Sequence, residues 1–340
     1  MRKRLLFAGL ILVLLLITII AAVMGTVTIP WKSVLAILLS PVPETKDIFW
    51  DILLYIRLPR VILAAVVGAS LATAGAVFQG LFRNPMADPY VLGVSSGAAL
   101  GAILAILTGG GLYLAGFSAI PLFAFAGGIL SITLVYWLAR VGKAVPVMTL
   151  LLAGIAVSAF LSALVSLLTY FSGEKLHQVV FWMMGGMGGA SWLQLLAMLP
   201  YVVIGFSVIY YNARELNILL LGEETAQQLG VDTERVKKIL MAGASLLVAA
   251  AVSASGIIGF VGLIVPHFIR LAVGPDHRIL LPASALLGAS MLIAADTVAR
   301  TIISPTELPV GIITAMVGAP VFIYLLKKRK KLRYFKNSEG

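Results

Sequence analysis

Apolar residues run along this chain in long unbroken stretches, separated by short segments that hold most of the charge. The first stretch, Leu5 to Val23, follows Arg2, Lys3 and Arg4. Others lie at about 61–82, 90–108, 118–139, 146–171, 191–211, 236–255, 257–273, 279–303 and 309–326. A helix needs roughly 20 apolar residues to cross about 30 Å of hydrocarbon. Lipid offers the backbone no hydrogen-bond partners, so a spanning segment closes its bonds within a helix. A β-barrel would instead alternate apolar and polar positions over about ten residues, and these runs are continuous. The pattern therefore predicts an all-α integral membrane protein, a polytopic bundle of about ten transmembrane helices forming one domain over residues 1–340. The third and eighth stretches are short and rich in glycine. The first is long for the core of a signal peptide and has no small-x-small cleavage site, so it is read as a span.

Composition narrows the class. Of 340 residues, 61% are apolar and 11% charged, against about 25% charged in soluble domains. A net charge of +11 would raise nucleic acid as a partner of a soluble protein. Here the basic residues cluster between apolar runs, and no nucleic-acid partner is expected. Lysine and arginine also set orientation. Arg2, Lys3, Arg4, Arg83, Arg140, Lys143, Arg214, Arg235, Lys237, Lys238, Arg270, Arg278 and the tail from Lys327 to Lys336 fall on one side; Lys32, Lys46, Arg57, Arg60, Lys175 and Arg300 fall on the other. The richer side is taken as cytoplasmic, with both termini on it. Residues 27–56, with Pro30, Trp31, Pro41, Pro43 and Trp50, are predicted to form an external loop partly lying at the interface. Gly68, Ala72, Ala76 and Gly80, and again Gly93, Gly97 and Gly101, recur at four-residue spacing, which gives faces for close helix approach.

Catalytic chemistry is hard to place. No phosphate-binding Gly-x-x-x-x-Gly-Lys-Ser/Thr loop is present, so the chain is not expected to hydrolyse ATP. The absence of cysteine excludes disulfides and thiol sites. His177, His267 and His277 lack metal-type spacing. The expectation is no catalytic residue, no metal site and no bound cofactor. Asp296 and Arg300 are four apart on one helix face and could pair. Deep acidic groups, which an ion-coupled secondary transporter would need, are scarce; that transporter class stands as the alternative. Residues 212–235 mix charge with apolar positions and contain Gly222 and Gly230, which suit helix ends. The pattern fits a docking knob for a soluble partner or an ordinary solvated loop, and does not decide between them.

Longer motifs then resemble a known family. Arg57-Leu-Pro-Arg60, Gly68 to Gly75, Gln79-Gly-Leu-Phe-Arg-Asn-Pro-Met-Ala-Asp-Pro89, Leu92 to Ala98, Trp182 to Gly186, Leu221 to Ala226 with Leu229-Gly230, Gly259 to Arg270, Asp276-His-Arg278, Asp296 to Arg300, Glu307 to Gly311 and Gly318-Ala-Pro320 follow the order found in FecCD-type permeases. These are membrane subunits of ABC importers for iron–siderophores, haem and cobalamin, and the resemblance covers residues from about 55 to 326. It implies a multi-pass protein of a bacterial or archaeal cytoplasmic membrane. It implies a second permease subunit, expected as a homodimer, with the path between the two. Two ABC ATPase subunits would use ATP and Mg, and an extracytoplasmic substrate-binding protein would deliver the substrate; an iron–siderophore is the first expectation.

The resemblance also assigns residues. Leu221, Gly222, Glu223, Glu224, Thr225, Ala226, Leu229 and Gly230 match the cytoplasmic coupling helices that sit in an ATPase groove. Arg57, Arg60 and Arg300 match a basic cluster that pairs with glutamates of the binding protein; simple interfacial snorkelling is the other reading. Asn84, Val147, Met148, Leu151 and Leu152 match a cytoplasmic gate that closes by dewetting. The family often carries small polar residues where Val147 and Met148 stand, and plain helix packing is the other reading there.

Overall fold

The computed structural model of the chain describes residues 2–25, 27, 29–39, 48–109, 113–114, 117–142 and 144–338. Pro41, Pro43, Lys46 and Lys143 lie outside the described residues. The helices are α1 (Arg2–Val23), α2 (Trp31–Leu39), α3 (Ile48–Asp51), α4 (Leu58–Leu81), α5 (Val94–Gly109), α6 (Ala119–Ala139), α7 (Val147–Tyr170), α8 (Leu176–Met184), α9 (Trp192–Tyr211), α10 (Ala213–Leu219), α11 (Glu223–Gln228), α12 (Thr233–Ser255), α13 (Val261–Val273), α14 (His277–Thr301) and α15 (Val310–Ser338). A π-helical stretch, Ile52–Arg57, joins α3 to α4, and 3-10 turns cover Pro89–Leu92 and Gly173–Lys175. Tyr113–Leu114 pairs antiparallel with Phe117–Ser118.

Among the described residues, 7 helical stretches are long and apolar enough to cross a membrane, and Val94–Gly109, Val261–Val273 and Val310–Leu325 are shorter apolar helices. Together they match the ten predicted runs, and the glycine-rich third and eighth are indeed short. Chain direction alternates, which brings the 82–88 turn, residues 140–146, α10–α11 and the 274–276 turn to the end that carries both termini. We call this the basal end and the opposite one the distal end.

Two connections differ from expectation. The 27–56 segment is not simply a loop. It holds α2, and its last part continues the second span, which runs over Ile48–Leu81. Pro59 has no N–H, and its ring would collide with the carbonyl four residues back in a regular helix. The wider π turn just before it absorbs that misfit. The distal connection after α7 contains α8, in which Val179 is buried and which ends at Gly185 with φ +71°. There Gly186 N donates to the Ser255 carbonyl at 2.7 Å.

The bundle is built around α4. This helix is apolar on every side, which is the pattern of a fully enclosed helix, and it packs against α9, α12, α13 and α14. Lipid is as apolar as leucine, so burial gives helices little reason to associate; close backbone contact and dispersion must supply the attraction. The small-residue faces do this. A Cβ at Gly68 would overlap the Gly288 carbonyl of α14, and one at Gly97 the Gly127 carbonyl of α6. Gly75 lies against the carbonyl of Gly262 in α13. The residue four positions after Gly262 is Pro266, which has no N–H to offer that carbonyl. The site can therefore accept a backbone carbonyl only if residue 75 has no side chain.

Gly75→Ala is expected to lower the thermal stability of the purified protein by about 1–3 kcal/mol through overpacking, and Gly75→Leu to abolish monodisperse folded protein. Gly9→Ala, where no atom lies within 4 Å, should be neutral. Thermal melts with size-exclusion analysis in detergent check this; equal melting of Gly75→Ala and Gly9→Ala would contradict the α4–α13 contact.

Candidate functional site

The basal end carries an elbow made by α10 and α11. Gly222 (φ +117°) and Gly230 (φ +83°) occupy backbone conformations that favour glycine and stop α10 and α11 from running on. Glu223 and Glu224 fill the first turn of α11, where carboxylates meet the positive end of the helix. Ala226 is fully buried and pins α11 to the bundle. Asp232 caps α12 by accepting from Arg235 N at 3.1 Å. Of the predicted coupling residues, Glu224, Thr225 and Gly230 are exposed, and Gly222 and Glu223 are half-buried. Leu221 and Leu229 stand 65% and 60% exposed on either side of α11.

Two polar networks tie the elbow to the bundle, besides a hydrogen bond that Gln227 of α11 donates to Thr233 of α12 at 3.1 Å. Asn217 of α10 accepts from His277 N at 2.8 Å and donates to Asp276 Oδ1 at 2.8 Å. Asp276 also takes the Arg278 guanidinium, at 2.9 Å. That guanidinium, against partial burial and helped by the Asn217 amide, holds the Asp276 carboxyl well below the usual carboxylate range. The second tie is Lys237 of α12, 5% exposed. It pairs with Glu223 at 3.1 Å and with Glu234, and donates to the Val145 carbonyl at 3.3 Å. Glu234 in turn accepts from Val145 N at 2.8 Å. Sequence reasoning counted Lys237 only as an orienting charge and gave Asn217 and Glu234 no role. The three-residue spacing of Glu234 and Lys237 was the one local signal.

The candidate gate residues share this end. Val147 and Leu151 are half-buried, while Met148 and Leu152, one turn apart, are 69% and 60% exposed, facing away from the chain's own core. Asn84 is exposed on the 82–88 turn, where its side chain accepts from Met86 N at 3.0 Å. One turn deeper, Gly154 of α7 packs on the Val91 carbonyl. Elsewhere, a cavity of about 870 Å³ opens on the flank between α6, α8, α9 and α12, lined by Phe125, Trp182, Gln194, Tyr201 and Ser253 among others.

At the distal end Arg57, Arg60 and Arg300 do come together, but not as an exposed basic cluster. They are 3%, 7% and 3% exposed and turned inward. Arg57 donates to the carbonyls of Ala22 (2.6 Å), Val23 (2.8 Å) and Val27. Arg60 grips Asp296 with two nitrogens, at 3.0 and 2.9 Å, and Glu307 at 2.8 Å. Arg300 donates to the Ala21 carbonyl and lies 3.9 Å from Asp296. The expected Asp296–Arg300 pairing is thus secondary to Arg60. The reason for the inward turn is chemical: a guanidinium at a membrane edge finds better partners in the bare carbonyls that end α1, and in two carboxylates, than in lipid.

Asp296→Asn, which leaves Arg60 and Arg300 buried without their shared carboxylate, should destabilise the protein by about 3–5 kcal/mol. Glu307→Gln, on the exposed side of the network, should cost no more than about 1 kcal/mol. Unfolding in mixed micelles measures both, and equal losses would contradict the inward-facing arrangement.

Comparison with known proteins agrees with this geometry. The family model described as the FecCD transport family matches residues 12–328. A cobalamin import system permease protein, BtuC, of Halobacterium salinarum is 51% identical over 306 residues, covering 89% of this chain and 80% of that one. A hemin transport system permease protein, HmuU, of Yersinia pestis is 42% identical over 345 residues, covering 98% of each. A solved structure described as an inward-facing conformation of a metal-chelate type ABC transporter superposes with a TM-score of 0.83 at 36% identity, covering 96% of this chain and 99% of that one. The likeness runs through the spans and both ends of the bundle: this chain belongs to the FecCD transport family, a multi-pass membrane permease of the ABC importers whose ATP is hydrolysed by separate subunits.

Proposed function

We propose that this permease imports an iron–siderophore, haem or cobalamin-type chelate, with α10–α11 as the docking element for an ABC ATPase. The elbow carries the reading. Exposed leucines are ordinary where a helix meets lipid. Leu221 and Leu229 instead sit beside Glu223, Glu224 and Arg235 at the charged basal end, where an apolar pair marks a protein contact. The elbow behind them is held by buried ion pairs and hydrogen bonds, so a push on it reaches the spans.

The basal end then faces the cytoplasm, with ATP and Mg bound by the partner subunits. A second copy of the permease covers the exposed faces of α7 and α15, and the path runs between the copies. Val147, Met148, Leu151 and Leu152, with Asn84, form the cytoplasmic constriction. The distal end receives the binding protein. There Arg57, Arg60 and Arg300 shape the docking surface from beneath, and the exposed Glu307 at its rim shares Arg60. A wide path lined by weakly polar surface suits a large chelate. The relatives' cobalamin and hemin support that substrate class. An ion-coupled carrier would need a titratable carboxylate free to change partners, whereas Asp296 is clamped by two arginines.

Replacing both leucines (Leu221→Glu with Leu229→Glu) should leave the permease folded and abolish co-purification with its ATPase, as expected for central apolar anchors worth about 2 kcal/mol or more each. In vesicles, the intact complex should take up cyanocobalamin or hemin only with ATP inside, and the permease alone should not. Full-speed uptake by the permease alone would overturn the proposal.

A further inference from the structure

We propose that Lys237 is a positioning residue that transmits motion from the coupling elbow to the start of α7, and through it to the constriction. This rests on the reading of α10–α11 as the ATPase contact. An ammonium has three N–H donors, and here three acceptors from three parts of the chain meet it. Glu223 belongs to α11, Glu234 to the first turn of α12, and the Val145 carbonyl to the segment that leads into α7. Val145 is held twice, because its N–H also donates to Glu234 at 2.8 Å. Its side chain is 3% exposed, and Pro146 follows directly as the N-cap residue of α7.

The joint is stiff for an electrostatic reason. Pulling any arm away leaves a cation at 5% exposure with an unmet donor, and stranding one partner of a buried pair costs far more than an exposed pair gains. Simple charge balance does not explain the arrangement, since one cation faces two carboxylates. Nor does helix stability, for which Glu234 and Lys237 alone would suffice. What the third arm adds is a connection between elements: α11 cannot shift without carrying Val145. From Val145 the path is short, because Val147, Met148, Leu151 and Leu152 lie in the first turns of α7. The Asn217–Asp276–His277 tie meanwhile holds α10 to α14. The elbow therefore has separate connections to α7 and to α14.

The chain has no cysteine, which gives a clean background for spin labels. In the assembled complex with its ATPase subunits, labels would be placed at Arg214→Cys on α10 or Ala144→Cys before α7. Each is paired with Thr306→Cys in the distal turn, and all three positions are exposed. Electron paramagnetic resonance distances would be compared without nucleotide and with ATP–vanadate trapped. In the parent complex both distances should change on trapping. In Lys237→Met the 214–306 change should persist, while the 144–306 change should be largely lost. ATP hydrolysis should continue in that variant, which a merely destabilising substitution would not allow. Glu234→Gln, which loosens Val145 while keeping the cation, provides the same test if Lys237→Met does not assemble. An undiminished 144–306 change in either assembled variant would overturn the proposal. A parent complex in which ATP moves neither pair would overturn the ATPase-contact reading itself, a result readily told apart from loss of the 144–306 change alone.

Discussion

A backbone carbonyl inside a membrane has no water to bond, and each one that a helix leaves unpaired costs several kcal/mol. That constraint organises this fold, because the bundle is full of interrupted helices. Several interruptions are met by a side chain sent from another element. Arg57 and Arg300 finish α1 by donating to the carbonyls of Ala21, Ala22 and Val23. Lys175 finishes α5 through Ile106 and Leu107. Gln194 meets Ala254 at the end of α12, and Trp192 meets Leu54 in the π turn. Tyr90 bonds the carbonyl of Ile258 in the non-helical stretch before α13, and Gln79 bonds Leu263. Some of the buried polar residues, Arg57 and Arg300 above all, serve as helix terminators supplied from a distance.

The same logic explains what could be read in the sequence. Spans are set by length and apolar content, both local, and so all ten runs were legible, including the two short ones. The small-residue faces on α4 and α5 were also legible, since four-residue spacing is a property of one helix. Breaks inside helical segments were harder. Gly256 and Phe260, both with positive φ, delay the start of α13 to residue 261, and a glycine in an apolar run does not announce whether it packs or bends. α8 was missed because a nine-residue apolar helix cannot span and so leaves no mark at span length.

The candidate sites divide along the same line. Residues 221–230 were legible as a charged, glycine-bounded segment, a docking knob or a solvated loop, and it was the family resemblance that favoured the knob. Their supports were not legible. Lys237 reaches back 92 residues to Val145, and Arg60 reaches 247 residues forward to Glu307. No spacing rule covers such distances. The inward turn of Arg57, Arg60 and Arg300 was not legible for a related reason. Charge near a predicted membrane boundary suggests a solvated or partner-facing group. What decides its direction is whether orphaned carbonyls and carboxylates are within reach, and only the folded chain supplies that.

The two ends of the bundle use one device for opposite purposes. At the distal end, Arg60 and Asp296 lock α4 to α14, two helices already joined by the Gly68–Gly288 contact. Redundant joints between the same helices make a rigid body. At the basal end, the ion pairs of Lys237 join α11, α12 and the approach to α7, elements with little glycine contact between them. A close-packed interior resists gradual deformation and moves in discrete rearrangements of whole elements. Under the proposed ATPase contact, motion introduced at the elbow would be channelled into the few helices fastened to it by side chains, with the glycine-packed centre around α4 as the frame against which they turn. A permease with no motor of its own needs that division: a fixed frame, and a small number of moving parts firmly attached to the point where force enters.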